Sequence, residues 1–219
     1  MNKKPLLSIA LLSLIFVAAS CRPDRIRDNN PQPSYQEYVF DEEFNNDRNG
    51  WGFADQVNFA YGVVSNGTFK FDYNDDYSDV YYAAKFFGFN PYNDFSISAR
   101  IGSNNNMGIL FGYDDQNNTY GYSFMVDYDG NYYLYDEGGN GYGPNPELLI
   151  GPETGNFVNA YGDWNDVEIV QSGNRWLGYI NDVQVFNIDA QSMNGSGVGF
   201  VDAAQTHGEA DYLEVHWYE

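Results

Sequence analysis

From residue 36 onward, short runs of apolar and polar side chains alternate along the chain. In DFSISARIG, an extended backbone places alternate residues from Phe95 to Ile101 on one face and the polar side chains between them on the other. A period of two is typical of half-buried β-strands, whereas an amphipathic helix would repeat about every 3.6 residues. Two further runs, MGILFGYDD and YGYSFMVD, predict strand faces made of Met107, Ile109, Phe111 and Tyr113 in the first and of Tyr120, Tyr122, Phe124 and Val126 in the second.

Tight turns separate these runs. The pairs Asn66-Gly67, Asp129-Gly130 and Asn181-Asp182 lie between strand-length segments. These residue types tolerate the positive φ angles that two-residue hairpins need. Strand-length runs continue to YLEVHWY near the C-terminal end, and no run sustains a helical period. The pattern predicts an all-β fold, in which two antiparallel sheets pack face to face as a β-sandwich over residues 36–219.

Residues 1–20 have the character of a secretory signal peptide. Lys3 and Lys4 precede an apolar run, and small residues stand directly before Cys21. The apolar run is too short to span a bilayer, which takes about 20 residues. The A-A-S-C ending resembles the lipobox of bacterial lipoproteins, which implies that Cys21, the only cysteine, is acylated and becomes the mature N-terminus. The alternative is an ordinary signal peptide that is cleaved after Ser20.

Residues 21–35 contain three prolines and almost no apolar side chains, so we expect a disordered tether. The whole chain has a formal net charge of −21 at pH 7, and removal of the signal peptide would take away two lysines and no acid. This charge makes nucleic acid and anionic lipid headgroups poor partners. From the signal peptide and Cys21 we expect an exported protein of the cell envelope that is held at a membrane by its lipid anchor. We interpret this membrane as the outer membrane and expect the protein to be a monomer.

Several segments together resemble a known superfamily. The segments are FDEEFNNDRNGW, YGYSFMVDYDGNYYLYDEGG, WNDVEIVQSGNRWLGYINDVQVFNID and ADYLEV. Their order resembles that of the concanavalin A-like lectin/glucanase superfamily. They are most similar to laminin G-like and 3-keto-disaccharide hydrolase-type jelly rolls of bacterial exported proteins. The resemblance spans residues 38–219, and it implies a jelly roll whose concave sheet carries a carbohydrate site.

The same resemblance implies one structural calcium ion. In many sandwiches of this kind, an ion links the N-terminal segment to the last strand, and Glu43 and Asp211 match those two places by position. Calcium takes about six to eight oxygen ligands, so backbone carbonyls would have to complete the shell. We expect Glu43 and Asp211 to be the carboxylate ligands of this site.

The acids near the C-terminal end have the spacing E-x-D-x-x-E, formed by Glu209, Asp211 and Glu214. Laminarinase-type glycosidases of the superfamily use this spacing, with a bulge that turns all three acids into the cleft. Here the acids lie in the last predicted strand, where simple alternation would place Glu214 opposite the other two. His207 and His216 accompany no recognisable nucleophile motif. We therefore assign no catalytic residue.

The chain contains 20 tyrosines, many of them interleaved with Asp and Asn. Sugar rings stack on aromatic faces while polar side chains bond the hydroxyl groups. Against this, most tyrosines of a sandwich fill its core. We expect a non-catalytic carbohydrate-binding or surface-structural domain, and the alternatives are a glycoside hydrolase or related sugar-processing enzyme and a protein-interaction module of the cell envelope. The candidate ligand-binding residues are Tyr77, Tyr81, Tyr113 and Tyr120.

Overall fold

A computed structural model describes residues 36–76, 80–114, 116, 120–138, 146–193 and 195–219. The predicted signal peptide, Cys21, the tether up to residue 35 and Tyr77 lie outside the described residues. Over the described ranges, the ordered elements are all β-strands, which confirms the all-β prediction. Within these ranges there is also no helix with the length and apolar character needed to cross a membrane.

The chain forms fifteen described strands. In chain order they are β1 Glu37–Glu42, β2 Phe53–Asp55, β3 Ala60–Ser65, β4 Thr68–Tyr73, β5 Val80–Lys85, β6 Phe95–Ser103, β7 Asn106–Tyr113, β8 Gly121–Asp127, β9 Asn131–Gly138, β10 Glu147–Thr154, β11 Asn165–Ser172, β12 Arg175–Ile180, β13 Val183–Asp189, β14 Gly197–Ala203 and β15 Thr206–Tyr218.

The strands form two antiparallel sheets. Sheet A has the order β13-β12-β11-β6-β15-β4-β3-β2, and sheet B has the order β10-β9-β8-β7-β14-β5. The long strand β15 pairs with β6 along one side. On its other side, β4 pairs with Thr206 to Ala210, and β1 pairs with Leu213 to Tyr218. The last strand therefore links the first described strand, β1, to the centre of sheet A.

The core lies between the two sheets. Alternate residues of β6 from Phe95 to Ile101 are buried, as the sequence predicts. Trp176 of sheet A meets Phe111 and Tyr122 of sheet B edge to face, with ring centroids 5.2 and 4.7 Å apart. Burying one large apolar side chain contributes about 1.5–3 kcal/mol, so a core with many such rings stabilises the sandwich without a disulfide.

The predicted turns are confirmed at three hairpins. Asn66 and Gly67 between β3 and β4 have φ angles of 56° and 80°, and Asn181 and Asp182 between β12 and β13 have φ angles of 49° and 65°. Two consecutive positive φ angles match the twist of an antiparallel pair. The turn between β8 and β9 places its positive φ of 83° at Gly130.

The predicted faces of β7 and β8 are correct for their central residues and wrong at one end of each strand. The core between the sheets contains all the central residues of the two predicted faces: Met107, Ile109, Phe111, Tyr122, Phe124 and Val126. Tyr113 and Tyr120 do not face this core. The alternation is interrupted at Gly112 and Gly121, whose φ angles are 73° and 74° and which lie beside shifts in the strand register. Such a bulge inserts one residue and reverses the side-chain direction.

Gly121 cannot carry a side chain at this bulge. A Cβ there would lie 2.4 Å from the carbonyl oxygen of Phe111 in the neighbouring strand. Glycine also adopts a positive φ at little cost. The paired glycines therefore turn Tyr113 and Tyr120 away from the core and onto the outer side of sheet B.

Candidate functional site

Sheet B carries aromatic side chains on the side that faces away from sheet A. Tyr82 is central among them, with its ring centroid 5.6 Å from that of Tyr113 and 5.9 Å from that of Tyr120. Tyr133 and Tyr135 of β9 stack nearly parallel, with centroids 5.8 Å apart. All five rings are half-buried, so each leaves part of its surface open. We call these five residues the tyrosine face.

The tyrosine face has an apolar floor. Leu110 of β7, Met125 of β8 and Val201 of β14 are fully buried and form a cluster separate from the main core, against which Tyr82, Tyr113 and Tyr135 pack. Outward residues of an antiparallel sheet are ordinarily polar and solvated. A buried apolar floor on this side indicates a surface built to exclude water.

A buried carboxyl group lies beside this floor. Glu137 of β9 is only 2% exposed, and it accepts hydrogen bonds from the Ser123 hydroxyl and, at 3.2 Å, from the Tyr82 hydroxyl. Burial raises the pKa of Glu137 above its ordinary value, although the two hydrogen bonds lower it in part. Burial and the neighbouring Glu137 also raise the pKa of Tyr82, which keeps its phenol protonated as a donor.

This arrangement has two chemical uses. The half-exposed rings can stack on the C–H face of a sugar while hydroxyl and carboxyl groups bond its polar edge. The Glu137 carboxyl, with its raised pKa, is also a candidate group for taking up or releasing a proton.

Tyr113 and Tyr120 come together through Tyr82, but Tyr81 does not join them. Tyr81 precedes Tyr82 in β5 and faces the opposite way, where it packs at 5.7 Å from Phe53. Its hydroxyl donates to Asp55 at 2.9 Å, and burial together with that contact raises the pKa of Tyr81 to about 12.

Tyr81 lines a separate cavity of about 260 Å³ between the edge strands β5 and β2. Lys85 also lines it, with its ammonium 5.3 Å from the ring centroid of Trp51. Burial lowers the pKa of Lys85, because it removes water from the charged form. Tyr81 therefore belongs to an edge groove and not to the tyrosine face.

The two residues predicted to bind calcium have other partners. Glu43 is exposed and accepts a hydrogen bond from Asn45 at 2.9 Å, whereas Asp211 lies 3.4 Å from the Arg100 guanidinium. Over the described ranges, no three acidic, histidine or cysteine side chains are grouped to hold a metal ion. The predicted site combines two carboxylates with backbone carbonyls, which this observation does not test, so the structural calcium ion stays a prediction.

A further acid, Asp202, is buried without a hydrogen-bond partner in the described part of the chain. It lies in β14 and is completely buried. Burial and the nearby Asp72 raise the pKa of Asp202 well above its ordinary value. A protonated, neutral carboxyl group accounts for its place between the sheets.

The simple alternation expected for the C-terminal acids is wrong. A register shift between Ala210 and Tyr212 bulges β15, so Glu209, Asp211 and Glu214 all point to the outer side of sheet A. Each has a basic partner: Lys70 at 3.2 Å, Arg100 at 3.4 Å and His216 at 2.8 Å, respectively. These acids are spread along a charged surface on the sheet opposite to the tyrosine face.

The candidate residues predicted from the sequence do not include Ser123, Glu137 or Tyr82. Ser123 and Glu137 occupy outward positions of their strands, where a polar residue is unremarkable. Their burial depends on strands distant in the chain. The glycines beside Tyr113 and Tyr120, in FGY and YGY, were the available signal for a change of face.

The chain matches one protein family and is similar to several solved structures. A family model for the 3-keto-alpha-glucoside-1,2-lyase-like domain matches residues 37–212. No curated protein matches the chain.

Three solved structures are similar to the chain at low sequence identity. Carbohydrate-binding module CBM66 from Bacillus subtilis is 14% identical, with a TM-score of 0.43 over 76% of this chain and 88% of that chain. The kappa-carrageenase from Pseudoalteromonas carrageenovora is 11% identical, with a TM-score of 0.49 over 89% and 100%. The endo-beta-1,3-glucanase from Pyrococcus furiosus is 10% identical, with a TM-score of 0.48 over 84% and 95%.

The family match spans strands β1 to the first half of β15, which is most of both sheets. It agrees with the antiparallel two-sheet sandwich that the structure shows. The chain belongs to the 3-keto-alpha-glucoside-1,2-lyase-like domain family, whose fold is the concanavalin A-like jelly roll.

Proposed function

We propose that this chain is an exported lipoprotein whose β-sandwich binds a saccharide on the tyrosine face without cleaving it. Acylated Cys21 would hold the domain, as a monomer, at the cell envelope, and residues 21–35 would be the tether. The family is named for a glucoside, which supports a saccharide as the ligand. The observation that carries the proposal is the set of half-buried tyrosines on an apolar floor.

The rings of the tyrosine face suit stacking better than burial. Tyr82 and Tyr120 are tilted by 39° to each other, so they form a shallow curved surface. Each aromatic contact of this kind is worth about 0.5–1.5 kcal/mol beyond the area buried. Two or three stacked rings would give a weak but specific site.

The charges favour an uncharged ligand. Glu137 has no basic partner within the described ranges, and the chain has a formal net charge of −21. An acidic polysaccharide would be repelled by this field. The proposed ligand is therefore a neutral glycan.

Binding is tested by replacing one ring. We expect Tyr113→Ala to weaken binding of a neutral glycan, selected on a glycan array, by about tenfold, because one stacking contact of about 1.4 kcal/mol is lost. Tyr92→Ala is the matched control, since Tyr92 is 76% exposed in a loop and makes no contact with the tyrosine face. Calorimetry of the full chain gives both affinities. An array without any ligand, or equal affinities of Tyr113→Ala and the parent chain, would contradict the proposal.

The anchor is tested separately. Expressed in a diderm bacterium, the chain should fractionate with membranes and give a diacylated N-terminal peptide that begins at Cys21. Cys21→Ser should move it to the soluble fraction. A mature N-terminus at any other residue would refute the lipoprotein assignment while leaving saccharide binding untouched.

Lyase activity on a 3-keto glucoside is the second candidate function, and the raised pKa of Glu137 favours it. In a 1,2-elimination, a base takes the proton from carbon 2, beside the ketone. The electron pair left behind forms the carbon 1–carbon 2 double bond, and the carbon 1 substituent leaves with its bonding electrons and gains a proton. Glu137 would be the base.

Elimination is tested by incubating the full chain with a 3-keto-alpha-glucoside and following the released alcohol by mass spectrometry. Activity that disappears in Glu137→Gln would establish the lyase in place of the binding module. The absence of product, together with measurable binding of the same sugar, would favour the binding module.

A further inference from the structure

A second polar pocket lies on the outer side of sheet A. Its volume is about 310 Å³, at the low end of the range of about 300–1,000 Å³ for small-molecule sites. We call it the Arg100 pocket. It is lined by Arg100, Asn159, Trp164, Asp166, Asn181 and Asp211.

The polar groups of the Arg100 pocket are held in place. Arg100 donates to both carboxylate oxygens of Asp166, at 2.9 and 3.1 Å, and lies 3.4 Å from Asp211. The Tyr212 hydroxyl donates to Asp166 at 3.3 Å, and the Tyr212 ring lies 6.0 Å from the guanidinium. This bidentate contact fixes the orientation of the guanidinium. The side chain therefore loses little conformational entropy when a ligand binds.

The loops around the pocket are braced in the same way. Asn181 accepts a hydrogen bond from the backbone N–H of Asp166 at 2.9 Å, and its amide donates to the backbone carbonyl of Phe157 at 2.7 Å. Asn159 donates to the backbone carbonyl of Trp164 at 2.8 Å. The pocket therefore has its shape before any ligand arrives.

One aromatic ring of the pocket is open to solvent. Trp164 is 39% exposed, whereas Trp51, Trp176 and Trp217 are between 0 and 6% exposed. The Trp164 indole lies against strand β6, since a Cβ built on Gly102 would be in van der Waals contact with it at 3.6 Å. An accessible indole beside a rigid array of donors and acceptors matches what a sugar ring needs.

The charges of the pocket restrict the class of ligand. Two carboxylates face one guanidinium, so an anion would meet a net negative charge, and a metal ion would have to approach Arg100. A neutral polyol can instead donate hydroxyl protons to Asp166 and Asp211 and accept from Arg100.

We propose that the Arg100 pocket is a second saccharide site, which binds one neutral sugar residue by stacking on Trp164 and hydrogen bonding to Asp211. It lies on the sheet opposite to the tyrosine face and does not depend on binding there. A domain with both sites could hold two glycan chains, or one folded-back chain, with a gain in avidity.

Tryptophan fluorescence of the full chain tests the second site, because Trp164 is the one exposed tryptophan of the four. The probes are methyl glycosides of glucose, galactose and mannose, and methyl fructoside, each at millimolar concentration. We expect at least one of them to reduce acrylamide quenching, and we expect Trp164→Phe to abolish that response. If no probe changes the quenching, or if Trp164→Phe still responds, the proposal is wrong.

Two variants separate this site from the tyrosine face. Asp211→Asn should weaken the quenching response at least tenfold in affinity, whereas Glu209→Gln, whose ion pair with Lys70 lies outside the pocket, should leave it unchanged. Tyr113→Ala should also leave it unchanged. Loss of the response in Tyr113→Ala, or no loss in Asp211→Asn, would overturn the proposal even if the tyrosine face binds glycans.

Discussion

The two outer faces of the sandwich satisfy their acidic side chains in different ways. On sheet A, acids pair with cations: Lys70 with Glu209, Arg100 with Asp166 and Asp211, Arg175 with Asp189, and the two histidines with Asp72, Glu37 and Glu214. On sheet B, acids accept hydrogen bonds from phenols, as Glu137 does from Tyr82 and Asp127 from Tyr133 at 2.8 Å. Over the described ranges, every ion pair lies within sheet A, where Asp166 also accepts a hydrogen bond from the phenol of Tyr212.

The difference follows from composition. The chain has 31 acidic residues but only 10 lysines and arginines, so most acids cannot have a basic partner. Its 20 tyrosines supply neutral donors instead. A phenol carries no charge that must lose its water on burial, so a phenol–carboxyl pair costs less to place beside an apolar floor than an ion pair does. Sheet B can therefore have a drier outer face than sheet A.

The largest expected change in stability comes from introducing a charge on each outer face. Leu110→Asp places a carboxylate in the fully buried floor of the tyrosine face, without a basic neighbour to pair with. We expect a loss of about 4 kcal/mol in the free energy of unfolding, typical of an unpaired buried charge. Urea denaturation measures it.

Val170→Asp is the matched control on the outer face of sheet A, because Val170 is half-buried in an interior strand. We expect a loss below about 1 kcal/mol there. Equal losses at the two positions would show that the outer faces do not differ in dryness.

The next effect concerns the buried carboxyl. Glu137→Ala removes the acceptor for the buried Ser123 hydroxyl and the half-buried Tyr82 hydroxyl. The loss of both hydrogen bonds should lower the free energy of unfolding by about 2–3 kcal/mol. Glu137→Gln keeps one acceptor oxygen, so its loss should be smaller. The control is Glu153→Ala, since Glu153 also accepts from a tyrosine but is itself exposed.

The raised pKa of Glu137 also predicts how the stability of the parent chain depends on pH. Its pKa is raised by folding, so the stability it contributes is complete below the unfolded value of about 4.3 and decreases as the pH rises through the folded value. Glu137→Gln should lack this decrease. A variant with the same pH profile as the parent chain would contradict the raised pKa.

The smallest effect concerns His216 on sheet A, which bonds Glu37 at 3.0 Å and Glu214 at 2.8 Å. Burial alone lowers the pKa of His216, but the hydrogen bonds and charges of both glutamates outweigh it, and the net pKa is raised. The stabilisation is therefore complete below about pH 6.5 and is lost as the pH rises through the folded pKa.

His216→Gln should consequently cost less than about 1 kcal/mol at about pH 6 and almost nothing at about pH 9. Urea denaturation at the two pH values measures the difference. A cost that grows with pH would mean that the histidine is neutral in the folded protein.

The alternation of β6 was predictable because every other residue is apolar over a long run, and burial of one face follows directly. The faces of Tyr113 and Tyr120 were not predictable in the same way. Their direction depends on bulges at Gly112 and Gly121, and a bulge arises from the pairing of two strands. The glycines in FGY and YGY signal that a bulge is possible, but the pairing that forms it depends on the neighbouring strand.

The fold class, the hairpin turns and the acidic, tyrosine-rich character of the surface follow from local period, local φ preferences and composition, so the amino-acid sequence is enough to predict them. The meeting of Glu137, Ser123 and Tyr82 on one sheet, and of Asp211 with Arg100 on the other, depends on the folded arrangement of the strands. Strand order brings together residues from distant parts of the chain, and burial and pKa depend on those distant neighbours.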